Sequence, residues 1–261
     1  KLRFMLALWG AKISQIGLKL FHRNGSTFPG KVALKICPDF NRLAKKADTV
    51  ICVTGTNGKT TVTNMTAELL RKLGYRVREN AMGANIATGV ATVLVSSVTA
   101  AHRLRTDVRV FELDERYSRL TLPALQPDYL VVTNIFRDSL KRNAHPEYIF
   151  SIINDYTPAK TKLILNADDL CSSMLRPGND HAFFGIDRLP EDVTEPYNLI
   201  ADHLVCPVCR GGLRFNYLRY HHIGNAYCPN CGFKSHDADY LATAIDEKKG
   251  ELRVRSGGEE Q

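Results

Sequence analysis

Residues 50–74 spell a strand, a glycine loop and a helix in immediate succession, and that order leaves few folds open. Val50-Ile51-Cys52-Val53 is a short apolar run suited to a buried strand. Thr54-Gly55-Thr56-Asn57-Gly58-Lys59-Thr60-Thr61 follows directly. Val62, Met65, Leu69 and Leu73 then recur at helical spacing, with Gly74 just past the end. Glycines let backbone N–H groups approach phosphate oxygens, and the helix start adds free N–H groups and the positive end of its dipole. Lys59 can reach β- and γ-phosphates, and the Thr60 hydroxyl can ligate Mg²⁺. The stretch therefore predicts a nucleoside triphosphate cradle, with Gly55, Thr56, Asn57, Gly58, Lys59, Thr60 and Thr61 as its contacts. A Gly/Thr turn with an incidental lysine would explain neither the strand before nor the helix after. The general phosphate loop has a glycine where Val53 stands, and the near glycine here is Gly55.

From residue 48 onward, strand and helix patterns alternate. Strands are predicted at 49–54, 75–78, 108–113, 129–133, 162–166 and 182–184, and helices at 60–73, 85–97, 145–154 and 168–175. Residues 24–30 read as a turn-rich connection. The expected fold class is α/β: a mostly parallel sheet with helices on both faces, its ligand at the carboxyl ends of the strands. Polar groups follow the strands as that rule requires. Phe111-Glu112-Leu113-Asp114-Glu115 ends a strand in carboxylates, and Glu112 is the first choice for Mg²⁺. The three acids cannot all enter one site without raising each other's pKa. Asn134 follows the next strand, and Asn166 and Asp169 the one after. Asn166 can offer both donor and acceptor to an adenine edge.

Cys206-Pro-Val-Cys209 and Cys228-Pro-Asn-Cys231 are two Cys-x-x-Cys knuckles at zinc-ribbon spacing. Four thiolates complete a tetrahedron and leave no open position, so a Zn²⁺ here is structural. Leu213–Tyr220 alternates like a hairpin strand. His221 and His222 are expected to lie on the surface rather than compete as ligands. The ribbon, 203–236, is read as an insertion into a nucleotide-binding domain of residues 47–202 and 237–261, with 237–255 returning to helix and strand.

The net charge of +8 is unevenly spread. Residues 1–46 hold ten Lys/Arg and one acid, Asp39, while the remaining 215 hold 25 basic and 26 acidic residues. A nucleic-acid footprint over the body is not expected; a basic N-terminal arm is. In that arm Leu2, Leu6, Trp9, Ile13, Ile16 and Leu20 recur at helical spacing. The favoured reading docks this apolar face on its own or a neighbouring domain. The other sends it to an anionic membrane surface or to the pyrophosphate of a lipid substrate. No apolar run is long enough for a transmembrane helix. With no export signal and three isolated cysteines, Cys37, Cys52 and Cys171, the expected location is cytoplasmic, with peripheral contact at the inner face of the membrane as the further option. A first residue of Lys rather than Met is read as a piece of a longer chain.

The order Gly55–Thr61, Phe111–Glu115, Thr133–Asp138 and Leu165–Asp169 resembles the ATP-binding domain of Mur ligases. Phe28–Lys35 and the Cys-Pro-x-Cys pairs narrow this to the zinc-ribbon-bearing MurT family, the ligase subunits of lipid II isoglutaminyl synthases. The resemblance runs from about residue 1 to residue 255. It implies an ATP-dependent carbon–nitrogen ligase subunit of peptidoglycan synthesis. ATP would phosphorylate the D-glutamate α-carboxylate of lipid II, and ammonia from a GatD-like glutaminase partner would displace the phosphate to give D-isoglutamine. By motif match Lys59 and Glu112 are the catalytic candidates, Thr60 and Glu112 the Mg²⁺ ligands, and Asn166 and Asp169 the adenine side. Ser139–Pro146, with Lys141 in place of an acidic residue, departs from the family. The family's C-terminal domain is not found, so these residues alone are expected to bind nucleotide and zinc without amidating. Two other readings fit these residues: another Mur-type amino-acid ligase, or a zinc-ribbon nucleotide-binding protein that engages nucleic acid.

Overall fold

The computed structural model describes residues 1–22, 25–80, 83–136, 145–195, 204–220, 222–246 and 248–260. Its main sheet starts from β1 (Thr49–Thr54), β2 (Val77–Glu79), β3 (Val108–Glu112), β4 (Tyr129–Val132), β5 (Lys162–Asn166) and β6 (His181–Ile186). A hairpin, β7 (Arg214–Arg219) and β8 (Ile223–Tyr227), stands outside it. The chain then rejoins the main sheet as β9 (Tyr240–Asp246), β10 (Glu251–Ser256) and β11 (Glu259–Glu260). The strand order is β11-β10-β9-β6-β5-β4-β1-β3-β2. Pairing is parallel from β2 through β9 and antiparallel for the last two strands.

Helices α1 (Leu2–Leu20), α2 (Phe28–Ile36), α3 (Phe40–Leu43), α4 (Lys59–Lys72), α5 (Ala87–Ser96), α6 (Ser118–Leu125), α7 (Pro146–Tyr156) and α8 (Leu170–Ser173) complete the described elements. The period-2 alternation of strand side chains sorts them into two layers. Val53, Val108 and Val110 meet Ala67 of α4 on one face. Val50, Cys52 and Phe111 meet the helices of the other face, where Phe4, Ala33, Phe40, Leu94, Leu122 and Ile153 contribute. Cys52 is fully buried, and burial pushes its thiol pKa up, as suits a small core hydrophobe rather than a reactive thiol.

β1 lies between β3 and β4, so the strand order reverses around it. That reversal opens a crevice at the carboxyl end of β1, where α/β sheets hold ligands. Register brings Val53 level with Glu112 and Thr54 level with Val132. The loops after β1, β3, β4 and β5 therefore crowd one edge.

Several sequence expectations shift. The strand placed at 75–78 begins at Val77, because the end of α4 takes the preceding residues: Gly74 turns at φ +91° and Tyr75 N–H donates to Leu70 O at 3.1 Å. The connection at 24–30 is in part helix, since Pro29 occupies the first turn of α2, where a missing N–H costs nothing; Asn24 lies outside the described residues. α6 has no counterpart among the expected helices, because Pro123 interrupts its pattern. Residues 237–255 return as strands only among the described residues.

The N-terminal helix meets its own core by a different face from the one the larger apolar residues mark. It docks through Phe4, Ala7, Leu8 and Ala11, all buried, while Leu2, Leu6, Trp9, Ile13, Ile16 and Leu20 face outward. Ala7 and Ala11 let the backbone of α1 sit close to its neighbours, so the smaller residues win the interior.

The α2–α5 contact allows a direct check. A Cβ on Gly30 would lie 1.8 Å from Thr88 O, whereas one on Gly17 of α1 meets nothing within 4 Å. Gly30→Ala is expected to destabilise by ~1–3 kcal/mol through forced separation of the two helices. Gly17→Ala should stabilise by up to ~1 kcal/mol through helix propensity. Urea denaturation measures both, and a Gly30→Ala variant as stable as the parent would contradict this packing.

Candidate active site and metal centre

Gly55 sits at φ +125° and Gly58 at φ +82°, conformations that side chains disfavour. A Cβ on Gly55 would lie 2.3 Å from Thr133 Oγ1, so only glycine fits between β1 and the loop after β4. That loop clamps the glycine turn. Thr56 N–H donates to Asn134 O at 2.8 Å, Asn57 N–H to Asn134 Oδ1 at 3.1 Å, and Thr133 Oγ1 to Asn57 O at 2.6 Å. Phe136 N–H donates to Thr56 Oγ1 at 2.9 Å.

Beyond the clamp, no acceptor among the described residues takes the N–H groups of Gly58, Lys59, Thr60 or Thr61. Open donors at the start of a 14-residue helix form an anion cradle. The Thr60 hydroxyl donates to Glu112 Oε2 at 2.9 Å, and Asn85 Nδ2 reaches the other oxygen at 3.3 Å. Asn80 fixes the backbone beneath, donating to Glu112 O and accepting from Glu112 N–H, each at 2.8 Å. Buried Glu112 thus meets Thr60 from across the crevice. A hydroxyl and a carboxylate so placed, beside phosphate oxygens, fit Mg²⁺.

The Lys59 ammonium is fully engaged. It donates to Gly55 O at 2.5 Å, Thr56 O at 3.0 Å and Glu115 Oε1 at 2.8 Å. Burial raises the pKa of Glu115, while the adjacent Lys59 pulls it down. The pairing of Glu115 with Lys59 has no local signature in the sequence, where Glu115 is one of three acids within Glu112–Glu115.

A cavity of about 790 Å³ opens from the cradle across the exposed side of the sheet. Asn57, Gly58, Asn134 and Asn166 line its polar end, and Ile51, Val131, Ile164, Phe184 and Tyr240 its floor. An apolar floor with a few convergent amides suits a nucleoside base. Asn166 already donates to Thr133 O at 3.0 Å and accepts from Asp168 N–H at 3.0 Å, which orients its amide.

Asp169 does not line that side. It is fully buried, caps α8 through Cys171 and Ser172 N–H, and accepts from Ile135 N–H at 2.6 Å. Burial pushes its pKa up to about 6 against the pull of those donors. It braces the loops after β4 and β5. Arg137, Asp138 and 139–144, Lys141 included, lie outside the described residues, as does His221.

The four cysteines converge. Their sulfurs all lie within 4.8 Å of one another, with Cys206–Cys231 at 3.6 Å and Cys209–Cys228 at 3.5 Å. Tetrahedral Zn–S bonds of ~2.3 Å separate sulfurs by about 3.8 Å, so an all-thiolate donor set at this spacing fits Zn²⁺. The hairpin beside this centre is tied to the nucleotide loops. Tyr217 donates to Asp168 Oδ1 at 2.7 Å, and Gly224 N–H to Asp168 O at 2.7 Å. Arg219 bonds Asp192 at 2.6 and 2.9 Å. His222, expected on the surface, stacks on Phe136 with ring centroids 3.8 Å apart. Nothing local in the sequence announces these pairs, because their partners are 27 to 86 residues apart.

Lys59→Ala should abolish nucleotide binding in calorimetry while one zinc equivalent stays bound. It also leaves Glu115 buried without a cation, so a stability loss of ~3–5 kcal/mol is expected if the carboxylate stays charged, and less if it takes up a proton. Cys206→Ser should lose the metal and lower the melting temperature; stoichiometric zinc in that variant would contradict the four-thiolate centre.

A family profile described as the Mur ligase middle domain matches residues 53–195. The chain is 32% identical over 249 residues to "Lipid II isoglutaminyl synthase (glutamine-hydrolyzing) subunit MurT" of Streptococcus pneumoniae, covering 94% of this chain and 55% of that protein. The protein of the same description from Staphylococcus aureus is 29% identical over 248 residues, with the same coverage. The chain thus spans about half the length of these relatives. Among solved structures, a pseudomurein peptide ligase type C from Methanothermus fervidus superposes with TM-score 0.60 at 26% identity, covering 84% of this chain and 42% of that one. MurF from Acinetobacter baumannii shares the fold, with TM-score 0.53 at 17% identity over 88% of this chain and 41% of its own.

Proposed function

The chain belongs to the Mur ligase family, and from that premise we propose that it is the nucleotide-binding part of an ATP-dependent amide ligase acting on a peptidoglycan precursor. The observation that carries this is the Lys59–Thr60–Glu112 constellation at the head of α4. Carboxylates and amines do not condense in water unaided, because hydroxide is a poor leaving group. Transfer of the γ-phosphoryl group of ATP to a carboxylate oxygen releases ADP and gives an acyl phosphate. An amine nitrogen then forms the C–N bond as inorganic phosphate departs and a proton is lost.

The residues have clear parts in such a reaction. The N–H groups of 58–61 hold phosphate oxygens. Lys59 exchanges a contact with Glu115 or a carbonyl for the γ-phosphate, concentrating positive charge where negative charge develops. Glu112 and Thr60 would hold Mg²⁺, which would supply charge neutralisation to the transferring phosphoryl group. Asn134 and Asn166 orient the base over the apolar floor.

The relatives' names give lipid II, isoglutaminyl synthesis and glutamine hydrolysis; the narrower reading that follows takes the D-glutamate α-carboxylate of lipid II as acceptor and ammonia as the amine, with a separate glutaminase subunit, of the GatD type that the motif resemblance implies, as its source. We assign the protein to the cytoplasm, where ATP and reduced thiols are available, with no role for nucleic acid. No described helix is long and apolar enough to cross a membrane.

The test uses the complete protein with its glutaminase partner, lipid II, ATP and glutamine. Mass spectrometry should show a carboxyl converted to a carboxamide, with ADP formed in step. Addition of an amino acid instead would overturn the narrower reading, and ADP formation independent of any precursor would overturn the ligase assignment.

A further inference from the structure

We propose that the outer face of α1 and the cationic pocket on its flank form a docking site for an anionic phospholipid surface, with a lipid phosphate taken up by Lys12, Lys19, Arg78 and Arg105. The inference goes beyond the nucleotide chemistry and uses none of its residues.

Leu2, Leu6, Trp9, Ile13, Ile16 and Leu20 step by four, three, four, three and four residues along a 19-residue helix. At 3.6 residues per turn they fall within an arc of about 80°, on a line about 27 Å long. All six are exposed, from 45% for Trp9 to 74% for Leu2. The face opposite is docked on the core through Phe4, Ala7, Leu8 and Ala11. An amphipathic surface helix normally turns its polar side outward; here both sides are apolar and the protein covers only one. A contiguous apolar line of this length on a surface marks an interaction site. Trp9 is held in place by its Nε1–H donating to Ala100 O at 2.9 Å.

The second observation is independent. A pocket of about 370 Å³ beside α1 is lined by Lys12, Lys19, Arg78 and Arg105 together with Ser96 and Gln15, and by no acid. Among the described residues none of the four cations has an ion-pair partner. Lys12 shows the strain of this grouping: burial first, then Arg105, Arg78 and Lys19, lower its pKa. Four cations gathered without a counter-charge favour an anion. No acid lies in α1, and Lys12 and Lys19 flank the apolar line on the pocket side.

Apolar groups at the acyl boundary with cations level at one side match the cross-section of a phospholipid monolayer. A soluble acidic protein would match the cations but leaves the straight apolar line without a reason of its own. The helix then lies on the membrane rather than crossing it.

The test is co-sedimentation with vesicles of phosphatidylglycerol and phosphatidylcholine, against vesicles of phosphatidylcholine alone, at two salt concentrations. Binding should need phosphatidylglycerol and weaken with salt. Ile13→Gln with Ile16→Gln should weaken it at least about tenfold. Lys19→Glu and Arg105→Glu should each cost about fivefold or more. Inorganic phosphate at millimolar concentration should not displace the protein. All four substitutions lie on the surface or the pocket rim, and unchanged zinc content and nucleotide affinity will verify the fold. Absence of vesicle binding at low salt, equal binding to neutral vesicles, or unchanged binding in the variants would overturn the inference. Saturation of the pocket by phosphate alone would mark a solute-anion site and overturn it. Dimerisation that Ile13→Gln abolishes would assign the face to a second copy and also overturn it. Each of these leaves nucleotide binding, and with it the ligase reading, untouched.

Discussion

A side chain on Gly55 would strike both Thr133 Oγ1, at 2.3 Å, and Asn134 O, at 2.8 Å. That close approach of the loop after β1 to the loop after β4 sets the geometry of the whole edge. With the two backbones in contact, Thr56 and Asn57 spend their N–H groups on Asn134, and the turn is fixed before any ligand arrives. The donors left over are those of the first turn of α4, all pointing into the same space. Parallel pairing of β1 with β3 then brings Glu112 level with Val53, one strand away from Thr60. The 2.9 Å bond between Thr60 and Glu112 is thus a consequence of sheet order and glycine packing. Such a preformed arrangement is what electrostatic stabilisation of a phosphoryl transfer demands, because donors already in place need not reorganise during the reaction.

The four-cysteine segment stands outside the main sheet yet is wired to this edge. The chain leaves after β6 and returns beside it as β9, so both stalks of the excursion end in neighbouring parallel strands. Its hairpin meets the loop after β5 at Asp168, whose buried carboxylate receives Tyr217 and lies 3.8 Å from Arg219. Asp169, the next residue, braces Ile135 in the loop after β4. A metal holding the knuckles together would therefore also steady, through two adjacent aspartates, the loops carrying Asn134 and Asn166. Binding energy of such a centre, on the order of 10–16 kcal/mol for zinc peptides, is folding energy for a segment too small to bury its own core.

What could be read from the sequence was whatever is encoded locally. The phosphate loop, the strand ending in Glu112 and the cysteine knuckles each rest on spacings within a few residues, and the structure assembles them along one edge or in one cluster. The α/β alternation was legible because buried parallel strands give short apolar runs. Long-range choices were not. Glu112 is the first choice among the acids after β3, but no spacing says that the fold turns it to Thr60 and Glu115 to Lys59. Asp169 reads as a ligand because it follows a strand, but the same placement makes it a helix cap. In α1 the larger apolar residues form the more regular stripe, whereas close packing selects Ala7 and Ala11. Proline hid two helices, α2 and α6, for opposite reasons: Pro29 starts one and Pro123 interrupts the other.

The central claim is that residues 55–61 clasp the tail of ATP against Glu112. A crystal structure with Mg²⁺ and a non-hydrolysable ATP analogue tests it most directly. The account predicts β- and γ-phosphate oxygens at the N–H groups of 58–61, Lys59 Nζ on the γ-phosphate, and the metal between Thr60 Oγ1 and Glu112. Phosphates bound elsewhere, with Lys59 still closed on Gly55, Thr56 and Glu115, would contradict it.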